Sequence, residues 1–199
     1  MTAPDNPFDA FWRKDSAALF ALSQASHAFA LIARSSRKSS KPIRFWVPDF
    51  FCDDALKPLR QLGRDLDVTI LFYPIKSDMR PDWAACSSAL IAGPPDYFVL
   101  VHYFGQGNDI DEARAFCDRH GAKLIEDATH LLSPAGAIGV GGDFACYSPR
   151  KFFDVPDGGI LVVRDPDDAR LIDEACRRLP RRGPNTIRWH LRRWERIFR

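Results

Sequence analysis

The stretch YFVLVHYFGQGNDIDEARAFCDRHGAKLIED, residues 97–127, passes from a strand pattern to a helix pattern and back. Tyr97–His102 is a nearly continuous apolar run, as expected of a strand buried on both faces of a parallel sheet. Asp109–His120 places Ile110, Ala113, Phe116 and Cys117 at helical spacing, opens on acids and is followed by Gly121. Ala122–Glu126 is again a strand. A strand, a helix and a second strand joined in this way imply a right-handed crossover between parallel strands.

The same alternation continues outward. Downstream, Asp143–Tyr147 and Gly159–Arg164 read as strands and Pro166–Leu179 as a helix. Upstream, Ile43–Val47 reads as a strand, Asp53–Leu62 as a helix ended by Gly63, and Val68–Tyr73 as a strand, while Ser77–Pro95 has no clear period. Phe8, Phe11, Trp12, Leu19, Phe20 and Leu22 favour an N-terminal helical region. Ser23 or Ser26 would cap a second helix through Leu31–Ala33, and Arg34–Lys41 (RSSRKSSK) reads as a solvated loop. The fold class is therefore α/β, a mostly parallel sheet flanked by helices, without internal repeats.

Composition agrees. A chain of 199 residues with 46% hydrophobic and 27% charged residues is neither disordered nor collagen-like, and is long enough for one large core. The net charge of +2 hides a division: from Arg177 onward there are nine arginines, no lysine and one acid, Glu195. The expected organisation is a domain over 1–179 and a basic amphipathic helical tail over 180–199. In the tail, Ile187, Leu191, Trp194 and Phe198 share one helical stripe. Three partners compete for that stripe: the same protein or a second subunit, an anionic membrane surface, or nucleic acid. Docking on protein ranks first and nucleic acid is disfavoured. The helical pattern stops without a capping signal, so the tail reads as an end by truncation. The five cysteines are odd in number and widely spaced, which points to reduced thiols. With no visible signal peptide and no apolar run of spanning length, the expected location is cytoplasmic.

In open parallel sheets ligands sit beyond the carboxyl ends of the strands. The residues there are His102-Tyr103-Phe104-Gly105, Asp127-Ala128-Thr129-His130 and Ser148-Pro149-Arg150-Lys151. A carboxylate, an imidazole and an amine on one rim suit pyridoxal phosphate. That cofactor needs a lysine to hold its aldehyde and an acid to keep its pyridine nitrogen protonated. Each residue also has a plainer reading: Lys151 as a surface lysine beside a turn, Asp127 as a loop carboxylate, His130 as a backbone-bonded structural histidine, Ser148 as a cap. For His102 the core reading outweighs a catalytic one, and Cys146 reads as core.

The stretches VHYFGQGNDIDEARAFCDRHGAKLIEDATHLLS and GVGGDFACYSPRKFFDVPDGGILVV, together spanning Val101–Val163, resemble the DegT/DnrJ/StrS family of fold-type-I sugar aminotransferases. Shared features are a strand ending in His-x-x-Gly, a helix, Glu-Asp-x-x-His, a Gly-Asp strand leading through Ser to a lysine, and a Gly-Gly turn. A weaker likeness extends upstream through Trp46–Cys52 and downstream to the stretch near Gly183. The resemblance implies the large domain of such a transferase, with the small C-terminal domain absent, and a homodimer. It makes Lys151 the Schiff-base lysine, Asp127 the partner of the pyridine nitrogen, His130 a group beside the cofactor ring and Ser148 a phosphate donor. Asp157-Gly158-Gly159 would be a tight turn with glycine supplying positive φ. Related sugar dehydratases carry histidine where this chain has Lys151, so transamination is favoured over dehydration.

Two positions depart from the family pattern. Ser23-Gln24-Ala25-Ser26 stands where members begin the phosphate-cradling helix with Ser-Gly-Thr, which leaves the backbone N–H groups of Gln24 and Ala25 as donors. Cys52 stands where a ring-stacking aromatic is usual, with Phe51 adjacent. The function implied is amino transfer from a donor such as glutamate to a keto sugar, often nucleotide-linked, by a whole enzyme or its large-domain portion. The competing reading is a non-catalytic aminotransferase-like binding or scaffold protein. No metal site is expected.

Overall fold

The computed structural model describes residues 9–12, 17–36 and 42–178. The expected tail over 180–199, with its stripe from Ile187 to Phe198, and most of the Arg34–Lys41 loop lie outside them.

Among the described residues seven strands form one sheet: β1 (Ala18–Leu22), β2 (Ile43–Pro48), β3 (Val68–Tyr73), β4 (Tyr97–Val101), β5 (Lys123–Asp127), β6 (Phe144–Tyr147) and β7 (Gly159–Val163). Their order across the sheet is β1-β7-β6-β5-β4-β2-β3. From β3 to β6 every pair is parallel; β7 is antiparallel to both β6 and β1. Among the described residues six α-helices accompany it: α1 (Asp9–Trp12), α2 (His27–Ser35), α3 (Asp53–Gln61), α4 (Trp83–Ala89), α5 (Ile110–His120) and α6 (Pro166–Arg178).

The central strands are apolar on both faces because helices cover both. Phe45, Val47, Val99, Val101 and Ile125 pack with residues of α2, α3 and α6, while Trp46, Phe98, Leu100 and Leu124 pack with residues of α4 and α5. Consecutive residues of β2 and β4 thus enter opposite cores, as the twofold strand period demands. Burial of each large side chain contributes about 1.5–3 kcal/mol. Helix ends follow local chemistry: the Asp109 carboxylate accepts the Glu112 N–H at 3.0 Å, and Asp82 accepts from Ala84 and Ala85. Gly121 closes α5 at φ +67°, a left-handed cap that glycine adopts without steric cost.

The N-terminal reading is corrected by the fold. Leu19, Phe20 and Leu22 belong to β1, an edge strand paired along its length with β7, and among the described residues there Asp9–Trp12 is helical. A short apolar run carries too little period to separate helix from strand, and the pairing partner lies far downstream. Ser26 precedes α2 but makes no side-chain cap bond; Ser23 Oγ lies 3.0 Å from His27 Nδ1. Within Ser77–Pro95 the structure forms α4. Among the described residues no helix is long and apolar enough to cross a membrane, and no cluster of metal-ligating side chains occurs.

Candidate active site

The carboxyl ends of β2, β4, β5 and β6 share one edge. The reversed strand β7 begins at that edge, because Gly159 pairs with Leu22 and Ile160 with Tyr147. The chain leaving β1 therefore passes the Gly158-Gly159 turn as it enters α2. A cleft of about 390 Å³ opens here, and Gln24, Ala25, Asp127, His130, Ser148 and Lys151 all line it.

At its base β5 ends in two carboxylates that face different surroundings. Glu126 is fully buried. Its Oε2 accepts from the Gly139 N–H at 2.6 Å and from His102 Nε2 at 3.0 Å, and its Oε1 accepts from Gly141 and Gly142 at 2.9 and 2.6 Å. His102 Nδ1 accepts the Asn108 N–H at 3.1 Å, which leaves Nε2 as the N–H directed at Glu126. Asp127, 7% exposed, faces the cleft, and its Oδ1 accepts the Thr129 N–H at 3.0 Å.

Thr129 links the carboxylate segment to the amine. Lys151 Nζ donates to Thr129 Oγ1 at 2.9 Å. Burial lowers the Lys151 pKa, while Asp127 and, more weakly, Cys52 oppose the shift. A larger fraction is therefore free amine at neutral pH, the form that attacks an aldehyde. His130 accepts the Phe104 N–H at Nδ1, 2.9 Å away, and its ring stacks on Phe104 at 5.8 Å and 17°. Its pKa is lowered by burial and then by Lys151, against Asp127, so it is neutral at pH 7 and carries its proton on Nε2. Both plain and functional readings of His130 find a footing here: it bonds to backbone and it lines the cleft.

The other wall is built by close approach. A Cβ on Gly159 would stand 2.3 Å from Ala25 N, and Gln24 bridges Gly158. Within the Gly-Gly turn Gly158 supplies the positive φ expected of it, while Gly159 leaves the space that the backbone entering α2 occupies. Cys52 is exposed on the cleft rim. Aromatic surface comes instead from Phe29, Phe50, Phe51 and Tyr103, with Phe51 edge-on to Phe29 at 5.8 Å. Cys146 is buried and its thiol pKa is pushed well up by burial, an unreactive core group.

Among the lining residues to which the sequence assigned no role are Thr129 and Arg150. Each sits inside a quoted rim motif, Thr129 between Asp127 and His130 and Arg150 beside Lys151, so position was the available signal.

Residues 83–192 match the DegT/DnrJ/EryC1/StrS aminotransferase family. The chain is 36% identical over 72 residues to the erythromycin biosynthesis sensory transduction protein EryC1 of Saccharopolyspora erythraea, covering 33% of this chain and 20% of that protein. It is 33% identical over 90 residues to the GDP-perosamine synthase of Vibrio cholerae, covering 43% and 23%. Helicobacter pylori PseC, an aminotransferase involved in the biosynthesis of pseudoaminic acid, superposes with a TM-score of 0.65 at 20% identity, over 78% of this chain and 42% of that one. These matches span a quarter or less of the two curated relatives and under half of the solved structure. The structural likeness shows the fold, that of the aminotransferase large domain.

Proposed function

The chain belongs to the DegT/DnrJ/EryC1/StrS aminotransferase family, and from that premise we propose that its cleft holds pyridoxal phosphate and supports amino transfer to a keto sugar. The observation that carries the reading is the convergence of Lys151, Thr129 and Asp127 in one cleft that also meets the start of α2. The residues fit the cofactor in kind: an amine with a lowered pKa, a shielded carboxylate, a neutral imidazole and, at Gly159, a cradle that any Cβ would fill.

When bound, the cofactor supplies an electron sink for the substrate carbon's bonding electrons. Asp127 would hold the proton on the pyridine nitrogen, its carboxylate oriented by the Thr129 N–H. Lys151 would hold the aldehyde carbon and, once released, carry the proton at Nζ, with Thr129 Oγ1 as its resting partner. His130, fixed by Phe104, would position the ring, and Ser148 with the N–H groups of Gln24 and Ala25 would face the phosphate. Lysine at position 151 supports transamination over dehydration, since its amine would hold the cofactor's aldehyde form between turnovers and would move the substrate proton during each half-reaction.

The donor is an amino acid such as glutamate, and the acceptor a keto sugar carried on a nucleotide, a reading supported by the name of the Vibrio cholerae relative. A cytoplasmic homodimer completes the proposal. Phe50 in the cleft lining, Phe104 stacked on His130, and Phe152 and Phe153 following Lys151 are 58%, 69%, 45% and 52% exposed, which supports a protein-covered rim.

The test is the visible absorption of the full chain with pyridoxal phosphate. A new band that Lys151→Ala abolishes and glutamate bleaches is expected. No band in the wild type would remove the cofactor reading, and a band indifferent to glutamate would favour a binding or scaffold protein.

A further inference from the structure

The cleft is finished unevenly. Lys151, Asp127 and His130 each bond to the protein, as described above. Arg150 lines the same cleft, yet among the described residues its guanidinium has no hydrogen bond and no ion pair. Arg150 is solvent-exposed, and its guanidinium carries five donors in a planar fork that a ligand in the cleft can use.

Its place is set by backbone contacts. A Cβ on Gly158 would lie 3.1 Å from Arg150 Cγ, so the arginine stem crosses over that glycine. Gly158 also donates to the Ser23 carbonyl at 2.9 Å and bridges Gln24. Arg150 is thereby held beside the segment that opens α2, where the helix dipole favours an anion. No acid occupies the first turn of α2 to compete for that position. Asp54, which also lines the cleft, is paired with Lys57. Ser26 makes no cap bond, and Ser148 Oγ has no partner among the described residues, so hydroxyl donors are also open here.

We infer that Arg150 is the cation that receives the cofactor's phosphate ester, supplying the charge and the paired donors that the Ser23-Gln24-Ala25-Ser26 entry to α2 lacks. A dianion at a helix start without a threonine or a charged side chain would depend on backbone N–H groups and neutral serine hydroxyls alone. A forked guanidinium adds charge-assisted, bidentate bonds. The inference rests on the proposed cofactor site.

Wild-type, Arg150→Ala and Arg150→Lys chains would be titrated with pyridoxal phosphate and with pyridoxal, the same aldehyde without the phosphate. Binding is read by tryptophan fluorescence quenching, with circular dichroism to confirm the fold. Arg150→Ala is expected to raise the Kd for pyridoxal phosphate about tenfold to hundredfold and to leave pyridoxal within about twofold. Arg150→Lys should fall between, and inorganic phosphate should compete with the cofactor less effectively in the alanine variant. Equal loss for both ligands would make Arg150 structural and overturn the inference, as would an unchanged Kd. A loss confined to a nucleoside diphosphate would assign it to substrate and overturn it too. A wild type that binds neither aldehyde would instead bring down the cofactor reading itself.

Discussion

The two faces of β5 at its carboxyl end carry adjacent acids with opposite fates. Glu126 meets four donors and no solvent, and its work is to tie the Gly139–Gly142 turn and His102 to the sheet. Asp127 has one identified protein donor, the Thr129 N–H, and keeps acceptor capacity toward the cleft. A carboxylate becomes structural when the protein saturates it and stays available to a ligand when it does not. The same contrast separates Lys151, held by Thr129, from Arg150.

The largest test of this contrast is stability. Glu126→Ala would leave buried donors without an acceptor and is expected to cost about 3–5 kcal/mol in urea unfolding, whereas Asp127→Ala should cost about 1 kcal/mol or less. Similar losses for both would erase the distinction. On activity the order reverses: Asp127→Asn should slow amino transfer by about 10²–10³ with the unfolding midpoint nearly unchanged. Activity kept within about tenfold would take Asp127 out of its assigned role.

The turn held by Glu126 offers a third test. Gly139 lies at φ +77°, and a Cβ there would stand 1.7 Å from the Tyr147 hydroxyl, which itself donates to the Gly139 carbonyl. Gly139→Ala should cost about 1–3 kcal/mol, part of it recovered in combination with Tyr147→Phe. Absence of any recovery would place the whole cost in the backbone.

The smallest effects are in titration. Asp127 raises the pKa of both Lys151 and His130 against the lowering by burial. Asp127→Asn should therefore shift the His130 midpoint, followed by proton NMR, further below its ordinary value; an upward shift would contradict the placement. For a group lowered in the folded state, the unfolded chain binds more protons between the two pKa values. Stability should thus fall as pH drops through the ordinary histidine range, and His130→Gln should flatten that slope.

Much of this was legible beforehand. The apolar run at Tyr97–Val101 and the capped helix from Ile110 to His120 follow rules that act within a few residues, and both formed where their patterns predict. The rim residues were identifiable because strand ends in a parallel sheet share one edge. Val68–Tyr73 and Pro166–Arg178 likewise kept their types. By contrast, Ala18–Leu22 has no local signal for its state: its hydrogen bonds go to β7, some 140 residues away.

What the chain order of residues established is therefore the α/β alternation, the parallel core and the chemical kinds gathered at the strand ends, because these depend on side-chain period and on local caps. The division of labour among those groups came from long-range packing. Glu126 and Asp127 are neighbours in sequence, yet which acid is saturated depends on a turn more than ten residues on, folded back by Tyr147 and Arg164. Arg150 and the start of α2 line one cleft because β7 runs backward between β1 and β6, bringing Gly158 to the edge where the neighbouring strands end.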